Sequence, residues 1–416
     1  MYVYIDLPWF LHPFTLNSFR ISSEEQIVGL RALDVERFRY DPERSDGLSA
    51  EPLSATRATL AQPAAGGPEQ KAAPGDPAVA EKERQARHLR EHRRTVAQTE
   101  KAFIKAAGIA RKLTRNILPR RNEVMEELDG LVHQMASVFL ERADVSLHVM
   151  GEKCGGEEAY LHGLNVSILS MMLVKGLNLG SEQAHLLGTG ALLHDIGQSE
   201  IPDRVLKKNP EEHTRAEREL YANHVEYGVS IGKQLELAPE AMSIIAQHHE
   251  LADGSGYPHG LRLEQIAPLA RVVSLVNYYD NLCNPVLFSQ AMTPHEALSL
   301  IFARRKDKFD AQVLQLLIRQ LGVYPPGTIV KLSNDALGMV ISVNPQKALR
   351  PWILLYHEGV PKHEAIMLDL DRTAGVSISR SLRPAQLPPA VYAYLSPRRR
   401  ITYFFDSEAP VAEEQA

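Results

Sequence analysis

The chain has 416 residues and a formal net charge of −5, with 44% hydrophobic and 23% charged residues. This composition is ordinary for a folded soluble protein, and the net charge gives no reason to expect nucleic-acid binding. No apolar run reaches the roughly 18 residues that a membrane-spanning helix needs. Two cysteines are too few for a disulfide framework or a thiolate zinc site. We therefore expect a multidomain protein of the cytoplasm.

Residues 1–42 are predicted to form a small α+β module. Tyr2–Asp6 and Val35–Tyr40 are rich in β-forming residues, and a capping box at Ser22 begins a short helix between them. Residues 43–80 shift to Ala, Pro, Gly and Ser, a composition that cannot bury a core, and predict a flexible linker.

Residues 81–121 predict a long basic helix, with thirteen Lys or Arg residues against four Glu. Apolar residues recur in it every seven positions, at Leu89, Val96, Phe103, Ala110 and Ile117. Such a seam can pack against its own chain or against a second copy, which would give a homodimer through residues 81–118. The positive charge leaves an anionic partner as the alternative.

Residues 122–320 are predicted to be all-helical, because apolar residues recur at three- and four-residue spacing. The predicted helices are Val124–Leu140, Leu161–Leu177, Ser181–Leu193, one that Pro239 opens and that leads to His248, Ile266–Leu282, Pro294–Phe302 and Gln312–Leu321. Residues 325–406 predict a small β domain, with strands Thr328–Leu332, Met339–Val343, Trp352–Tyr356 and Ile366–Leu370. Residues 407–416 predict a disordered tail.

Two pairs of potential metal ligands occur at the ends of apolar helices in this segment, His194–Asp195 and His248–His249. Burying such groups is costly unless they are paired or bind a metal. Consecutive histidines point about 100° apart on a helix, so they can serve two neighbouring ions. A helix cap or a core histidine is the alternative for each pair alone.

Further potential ligands support the metal interpretation. Glu158 and His162 lie four residues apart on one helix face, and His224 lies in another helix. Ligation by imidazole and carboxylate without thiolate suits iron, manganese, zinc or nickel rather than calcium or magnesium. A cluster of two or three ions would activate water and hold both oxygens of a phosphoryl displacement, and Asp195 could bridge two ions and orient the water.

A glycine-rich loop, Asp253–Pro258, follows the second histidine pair. Gly254 and Gly256 permit turn conformations that other residues avoid. Tyr257 would then stand near the metals, where its ring could stack on a base. The alternative is a simple turn that ends the helix, with Tyr257 packed inward.

The blocks His194–Gly197, His224 and His248–Pro258 resemble the HD-GYP family of the HD phosphohydrolase superfamily over residues 122–320. The resemblance implies a bacterial signalling enzyme that hydrolyses cyclic di-GMP to linear pGpG or GMP, with two or three divalent ions, most often iron or manganese. The ligands it implies are Glu158, His162, His194, Asp195, His224, His248, His249 and, weakly, Asn277, with Asp195 and His194 catalytic. The N-terminal segment is similar to an uncharacterised domain that often precedes this family.

Three departures from the family pattern affect the shell around these ligands. Asn277 replaces the last ligand Asp, Gln198 replaces a phosphate-contacting Lys, and Val286–Ser289 replaces a block with two Arg residues. Asp280 matches an Asp of the family that is not usually a ligand. The predicted substrate contacts are Tyr257, Gly254, Gln198 and Arg271, and Lys207, Lys208 and Arg215 are further candidates for the missing cations.

Two functions follow from this pattern. The first is a cyclic di-GMP phosphodiesterase whose first ligand shell is otherwise complete. The second is a catalytically impaired module that binds a cyclic dinucleotide or a protein partner, such as a diguanylate cyclase or another signalling protein, without turnover. Hydrolysis of another phosphoester shares the metal site and stays open.

Overall fold

A computed structural model describes residues 2–4, 18–21, 27, 30–31, 39–41, 77–142, 145–150, 158–343, 345–347, 349–362, 365–373, 375–383, 386–395 and 401–406. The predicted tail and the predicted linker up to residue 76 lie outside these residues. Contacts divide the chain into two compact units, residues 1–94 and 95–416.

The first unit contains a three-stranded antiparallel sheet in the order β2-β1-β3. Its strands are β1 (Tyr2–Tyr4), β2 (Ser18–Arg20) and β3 (Arg39–Asp41). The predictions located β1 and the start of β3 but not β2. Of the predicted short helix, Ile27, Leu30 and Arg31 are described and helical.

The long helix α1 spans Pro77–Asn116. It begins four residues before the predicted start, because Pro77 is tolerated in the first turn and the following residues, Ala-Val-Ala, continue a helix readily. Phe103, Ala110 and Ile117 of the seven-residue seam are buried in the main hydrophobic core. The C-terminal half of the seam therefore packs against its own chain.

The remaining described helices follow the predicted helical pattern in residues 122–320, and one further helix, Pro389–Leu395, lies in the segment predicted to be a β domain. They are α2 (Arg121–Glu141), α3 (Glu158–Met171), α4 (Ser181–Leu193), α5 (Asp203–Leu206), α6 (Arg215–Ala222), α7 (His224–Gln234), α8 (Pro239–Gln247), α9 (Pro268–Cys283), α10 (Pro294–Leu300), α11 (Ala311–Leu321) and α12 (Pro389–Leu395). Short 3-10 helices span Ile196–Glu200, Pro210–Glu212, Leu263–Gln265, Phe288–Gln290, Lys306–Lys308 and Pro345–Lys347, and a π-helix spans Ile301–Arg305. No helix in the part of the chain described here combines the length and apolar character needed to cross a membrane.

A seven-stranded antiparallel sheet completes the second unit, with the order β10-β4-β6-β5-β9 and with β7 pairing with β6 and β8. Its strands are β4 (Leu147–Val149), β5 (Ile329–Leu332), β6 (Leu337–Val343), β7 (Trp352–Leu355), β8 (Met367–Asp369), β9 (Ile378–Leu382) and β10 (Tyr403–Phe405). The sequence predicted β5 to β8. Strand β4 comes from within residues 122–320 and lies between β10 and β6, so it joins the sheet to the helical part. Three residues are too few to show the period of a strand.

Candidate metal centre

The His194–Asp195 pair lies in the turn that follows α4 and precedes the 3-10 helix Ile196–Glu200. Gly197 lets this turn approach α7 closely, since a Cβ atom there would lie 2.0 Å from the carbonyl oxygen of His224. The absence of a side chain at Gly197 thus brings His194, Asp195 and His224 together. His248 and His249 follow the end of α8, so three helix ends converge on one site.

Three of the histidines have their tautomer fixed by the backbone. The Nδ1 atoms of His194, His224 and His248 lie 2.7, 2.6 and 2.8 Å from the carbonyl oxygen three residues earlier in the chain. A carbonyl only accepts, so each Nδ1 carries the proton and each Nε2 presents a lone pair. This is the arrangement that orients metal-binding histidines.

Asp195 lies between two groups of these Nε2 atoms. Its Oδ1 is 3.3 Å from Nε2 of His224 and 3.4 Å from Nε2 of His248. Its Oδ2 is 3.3 Å from Nε2 of His194 and 3.5 Å from Nε2 of His162. Each carboxylate oxygen therefore serves a different pair of imidazoles, as a bridging ligand would.

The Nε2 atoms also face one another within each group, at 3.3 Å between His162 and His194 and at 3.3 Å between His224 and His248. Two acceptors repel each other at this distance unless a cation or a proton lies between them. Ligand atoms about 2.0–2.2 Å from one ion are roughly 3–3.5 Å apart in tetrahedral or octahedral geometry. The observed separations fit two ions that share Asp195.

His162 has a partner that the sequence did not predict. Its Nδ1 lies 2.7 Å from Oδ2 of Asp280, which is 1% exposed. Its Nε2 lies 3.0 Å from Oδ1 of Asn277, and the amide of Asn281 donates to that oxygen at 2.7 Å. The amide oxygen of Asn277 thus points into the group that contains His162. Asp280 follows Asn277 by three positions on α9, a spacing that aims both at one place.

His249 completes the other group. The ligand atoms of Asp195, His224, His248 and His249 lie within 4.8 Å of one another. Nε2 of His249 and Oδ1 of Asp195 are buried without a hydrogen-bond partner among the described residues. Buried polar atoms of this kind are expensive, and a bound ion would satisfy both.

The charges suit cation binding. Although burial by itself raises the pKa of Asp195, contacts with His194, His248 and His224 hold that pKa well below its usual range. Burial lowers the pKa of His248 to about 4 and that of His249 well below its usual value. An ionised carboxylate beside the neutral imidazoles of His248 and His249 is the protonation state in which these groups bind metals.

The Asp253–Pro258 loop is held next to His249 by hydrogen bonds of Glu250 and by the ring of Tyr257. The buried carboxylate of Glu250 accepts hydrogen bonds from the backbone N–H groups of His259 and Leu261, at 2.7 and 2.8 Å. The ring of Tyr257 stacks on that of His249, with centroids 4.4 Å apart. One face of Tyr257 is therefore already covered by a candidate ligand. Glu250 adjoins His249 in sequence, but no spacing distinguished it.

The predicted substrate contact Arg271 has other partners. The guanidinium of Arg271 donates to the carbonyl oxygen of Ile266 at 2.8 Å and lies 3.3 Å from Oδ2 of Asp310. The backbone N–H of Gln198 donates to the carbonyl oxygen of Asp195 at 2.9 Å, and its side chain is half-buried. Gly254 has a φ of 80°, so its role in the loop is conformational.

The candidate cations form ion pairs with nearby carboxylates. Lys207 lies 2.5 Å from Asp203, and Lys208 lies 2.6 Å from Glu217, measured from nitrogen to oxygen. Arg215 pairs with a glutamate one turn later on α6 at 2.9 Å. In the segment Val286–Ser289, which replaces the family block with two Arg residues, Val286 is 44% exposed. Helix α3 begins at Glu158, whose side chain lies outside the described part of the structure.

A second group of ligand-type residues lies elsewhere, between α2 and α4. Asp129, His133 and His185 come together, with His185 Nε2 2.8 Å from an oxygen of Asp129. The side chains of Asp129 and His133 are 57% and 64% exposed. A solvated His–carboxylate pair accounts for this distance, so the group needs no metal.

Comparison with known proteins finds two family matches along the chain. Residues 133–313 match the family described as HD domain, and residues 1–128 match a domain of unknown function, DUF3391. The residues of the two groups that share Asp195 all lie within residues 133–313.

The chain is similar to named phosphodiesterases. It is 28% identical to a cyclic di-GMP phosphodiesterase of Pseudomonas aeruginosa over 260 residues. These aligned residues make up 62% of this chain and 62% of that protein. It is 31% identical over 212 residues to the cyclic di-GMP phosphodiesterase response regulator RpfG of Xanthomonas campestris, covering 50% of this chain and 52% of that protein. It is 29% identical over 196 residues to a 3'3'-cGAMP-specific phosphodiesterase of Vibrio cholerae, covering 45% of this chain and 37% of that protein. The chain thus spans less than two thirds of the length of these relatives.

Proposed function

We propose that this chain, which belongs to the HD domain family through residues 133–313, is a metal-dependent phosphodiesterase that hydrolyses cyclic di-GMP. The position of Asp195 carries the proposal, because each of its carboxylate oxygens faces a separate pair of imidazole Nε2 atoms. A carboxylate shared by two ions is the central element of a two-metal phosphoryl-transfer site.

Two sets of residues would hold the ions. The first set is Asp195, His224, His248 and His249, and the second is His162, His194, Asp195 and the amide oxygen of Asn277. Glu158, one helical turn before His162, remains a proposed ligand. Imidazole and carboxylate donors without thiolate suit iron, manganese, zinc or nickel, and the resemblance to the HD-GYP family favours iron or manganese among them. We propose two ions rather than three, because the described ligand atoms form two sets that share Asp195.

The chain's own groups prepare the site for hydrolysis. Two divalent ions bound here would lower the pKa of an attacking water and offset the charge that develops on the phosphoryl oxygens. Asp195 contributes the negative charge between the two sets and orients the attacking water. His194, His224 and His248 keep their Nε2 lone pairs directed inward, because the backbone holds their protons on Nδ1. This preorganisation limits the rearrangement needed during the reaction.

Recognition of the substrate is proposed to depend on the Asp253–Pro258 loop. Tyr257, which stacks on His249, is proposed to contact a base of the substrate. Arg271 is engaged by Asp310, so we assign it no phosphate contact. A hydrogen bond to a charged group contributes about 1.5–3 kcal/mol. Among the described residues, Lys207, Lys208, Arg215 and Arg271 each pair with a carboxylate, which predicts a weaker affinity for the dinucleotide than a site with uncommitted cations would have.

The test is turnover by the purified full chain, loaded anaerobically with iron or with manganese, and given cyclic di-GMP and 3'3'-cGAMP in parallel. Chromatography should show linear pGpG or GMP from cyclic di-GMP. Asp195→Asn should abolish product. Asp335→Asn, an equal change of charge on an exposed residue of the turn between β5 and β6, should leave it unchanged. Two bound equivalents of metal with no product from cyclic di-GMP would contradict the proposal, and product from 3'3'-cGAMP alone would reassign the substrate.

A second function, binding without turnover, is favoured by Asn277 and by the engagement of Arg271. In this case the chain would bind a cyclic dinucleotide or a signalling partner such as a diguanylate cyclase. Tyr257→Ala would then abolish the cellular phenotype while His194→Ala would not. If His194→Ala is as damaging as deletion of the gene, this function is excluded.

A further inference from the structure

Two buried asparagines join the C-terminal strand to the carboxylate that orients His162. Asn165 of α3 is 2% exposed. Its amide nitrogen donates to Oδ1 of Asp280 at 3.0 Å and to the carbonyl oxygen of Ile401 at 2.8 Å. Its amide oxygen accepts from the backbone N–H of Tyr403 at 3.0 Å. One side chain therefore uses both its donor and its acceptor groups to connect these two regions.

Asn284, the residue that ends α9, makes a parallel set of contacts. Its amide nitrogen donates to Oδ1 of Asp280 at 2.9 Å and to the carbonyl oxygen of Ile401 at 3.0 Å. Its amide oxygen accepts from the backbone N–H of Ile401 at 2.8 Å. The polar backbone of Ile401 is thus satisfied by side chains rather than by a neighbouring strand.

Asp280 receives all three of these buried donors. The two amides bind its Oδ1, and Nδ1 of His162 lies 2.7 Å from its Oδ2. A carboxylate that accepts from the far nitrogen of a metal-binding histidine fixes the ring's tautomer and raises its basicity. The position of Asp280 therefore decides whether Nε2 of His162 faces the rest of its ligand group.

The segment that the asparagines hold is itself firmly packed. Tyr403, Phe404 and Phe405 of β10 are each at most 2% exposed. Phe404 meets Phe103 of α1 edge to face at 5.6 Å, and Phe405 packs against Phe139 of α2 at 4.7 Å between ring centroids. The strand thus lies between the long helix and the asparagines that contact Asp280.

We propose that Asn165 and Asn284 are positioning residues of the metal centre, which make the C-terminal strand part of the support of His162. The inference rests on the proposed metal centre but not on the identity of its substrate. It predicts a reciprocal coupling between metal binding and the contacts that Asn165 and Asn284 make. If these contacts favour metal binding, the bound metal must stabilise them in turn.

The first experiment measures manganese binding to the full chain by competition with a chelator. Loss of the direct partner, in Asp280→Asn, should weaken the ion on the His162 side about 10- to 100-fold. Asn284→Ala acts one contact further away, so we expect a smaller loss, on the order of threefold to tenfold. Asn209→Ala is the matched control, since Asn209 is also buried and accepts one backbone hydrogen bond outside the centre.

The second experiment measures amide hydrogen exchange around Ile401 and Tyr403 in the unmodified chain, with and without manganese. We expect manganese to slow exchange at these two amides at least about threefold. The slowing should disappear in His162→Ala and persist in Asn209→Ala. This measurement does not depend on whether Asn284→Ala folds.

Unchanged exchange at Ile401 and Tyr403 on manganese binding would overturn the inference. So would a folded Asn284→Ala protein that binds both ions as tightly as the unmodified chain. Neither measurement uses turnover. A chain that fails to hydrolyse cyclic di-GMP but shows both effects would refute the proposed activity and leave this inference intact.

Discussion

Restoring a charge at Asn277 tests the less charged half of the metal centre. Oδ1 of Asn277 lies 3.0 Å from Nε2 of His162, a normal separation for two ligands of one ion. Asn277→Asp keeps the size and shape of the side chain. The amide of Asn281, which donates to this oxygen at 2.7 Å, would also stabilise the new carboxylate. The substitution therefore adds one negative charge at a position already built to hold it.

The magnitude follows from the change of one neutral contact to a charged one. A contact to a charged group contributes about 1.5–3 kcal/mol, against 0.5–1.5 kcal/mol for a neutral one. The difference is about 1–1.5 kcal/mol, and about 1.4 kcal/mol corresponds to a tenfold change in affinity. We therefore expect Asn277→Asp to tighten manganese binding on the His162 side by about fivefold to twelvefold, and Asn277→Ala to weaken it.

The assay is equilibrium binding of manganese, followed by metal analysis of the protein after gel filtration. Asn334→Asp adds the same charge at an exposed turn and controls for a general effect of net charge. If Asn277→Asp binds manganese no more tightly than the unmodified chain, Asn277 does not occupy a ligand position. Our assignment of Asn277 to the ligand set of His162, His194 and Asp195 would then be refuted.

Three other substitutions test the centre and its support. Asp195→Asn removes the shared carboxylate, and metal analysis should show that both ions are lost; retention of two equivalents would exclude bridging. Gly256→Ala places a Cβ atom 2.4 Å from the backbone nitrogen of Leu251, so denaturant unfolding should show a loss of about 1–3 kcal/mol; unchanged stability would contradict that packing. Burial lowers the pKa of His148 to about 4. As the pH falls from 6.5, the unfolded state therefore takes up a proton on this histidine before the folded state does. The free energy of unfolding should drop by up to about 3 kcal/mol by pH 4. His148→Leu should remove that part of the acid dependence; an identical pH profile would refute the assignment.

Sequence patterns located most helices, because a helix that buries one face needs apolar residues at three- and four-residue spacing wherever it lies in the fold. The helix Ser181–Leu193 has the predicted bounds, and Pro239 begins α8 as predicted. Strand β4 was missed, because three residues carry no measurable alternation and its pairing partners lie far away in the chain.

The sequence by itself determined which residues could ligate metal. His194, Asp195 and His248 were identified from residue type and helix-end position. His162 was identified from its spacing to Glu158, and His224 from its residue type within a helix. Their ligand atoms lie close together in the structure. Their chemistry is local, since it depends on what each side chain is and where its helix ends.

Only the tertiary structure decided how these residues are shared and supported. It showed that the two oxygens of Asp195 face different histidines, and that Asp280 rather than Asn277 accepts from Nδ1 of His162. It also connected Asp280 to Ile401, more than a hundred residues away, through Asn284. Such contacts depend on distances between helix ends and a distant strand. No spacing along the chain encodes them, because they are set by the packing of whole elements.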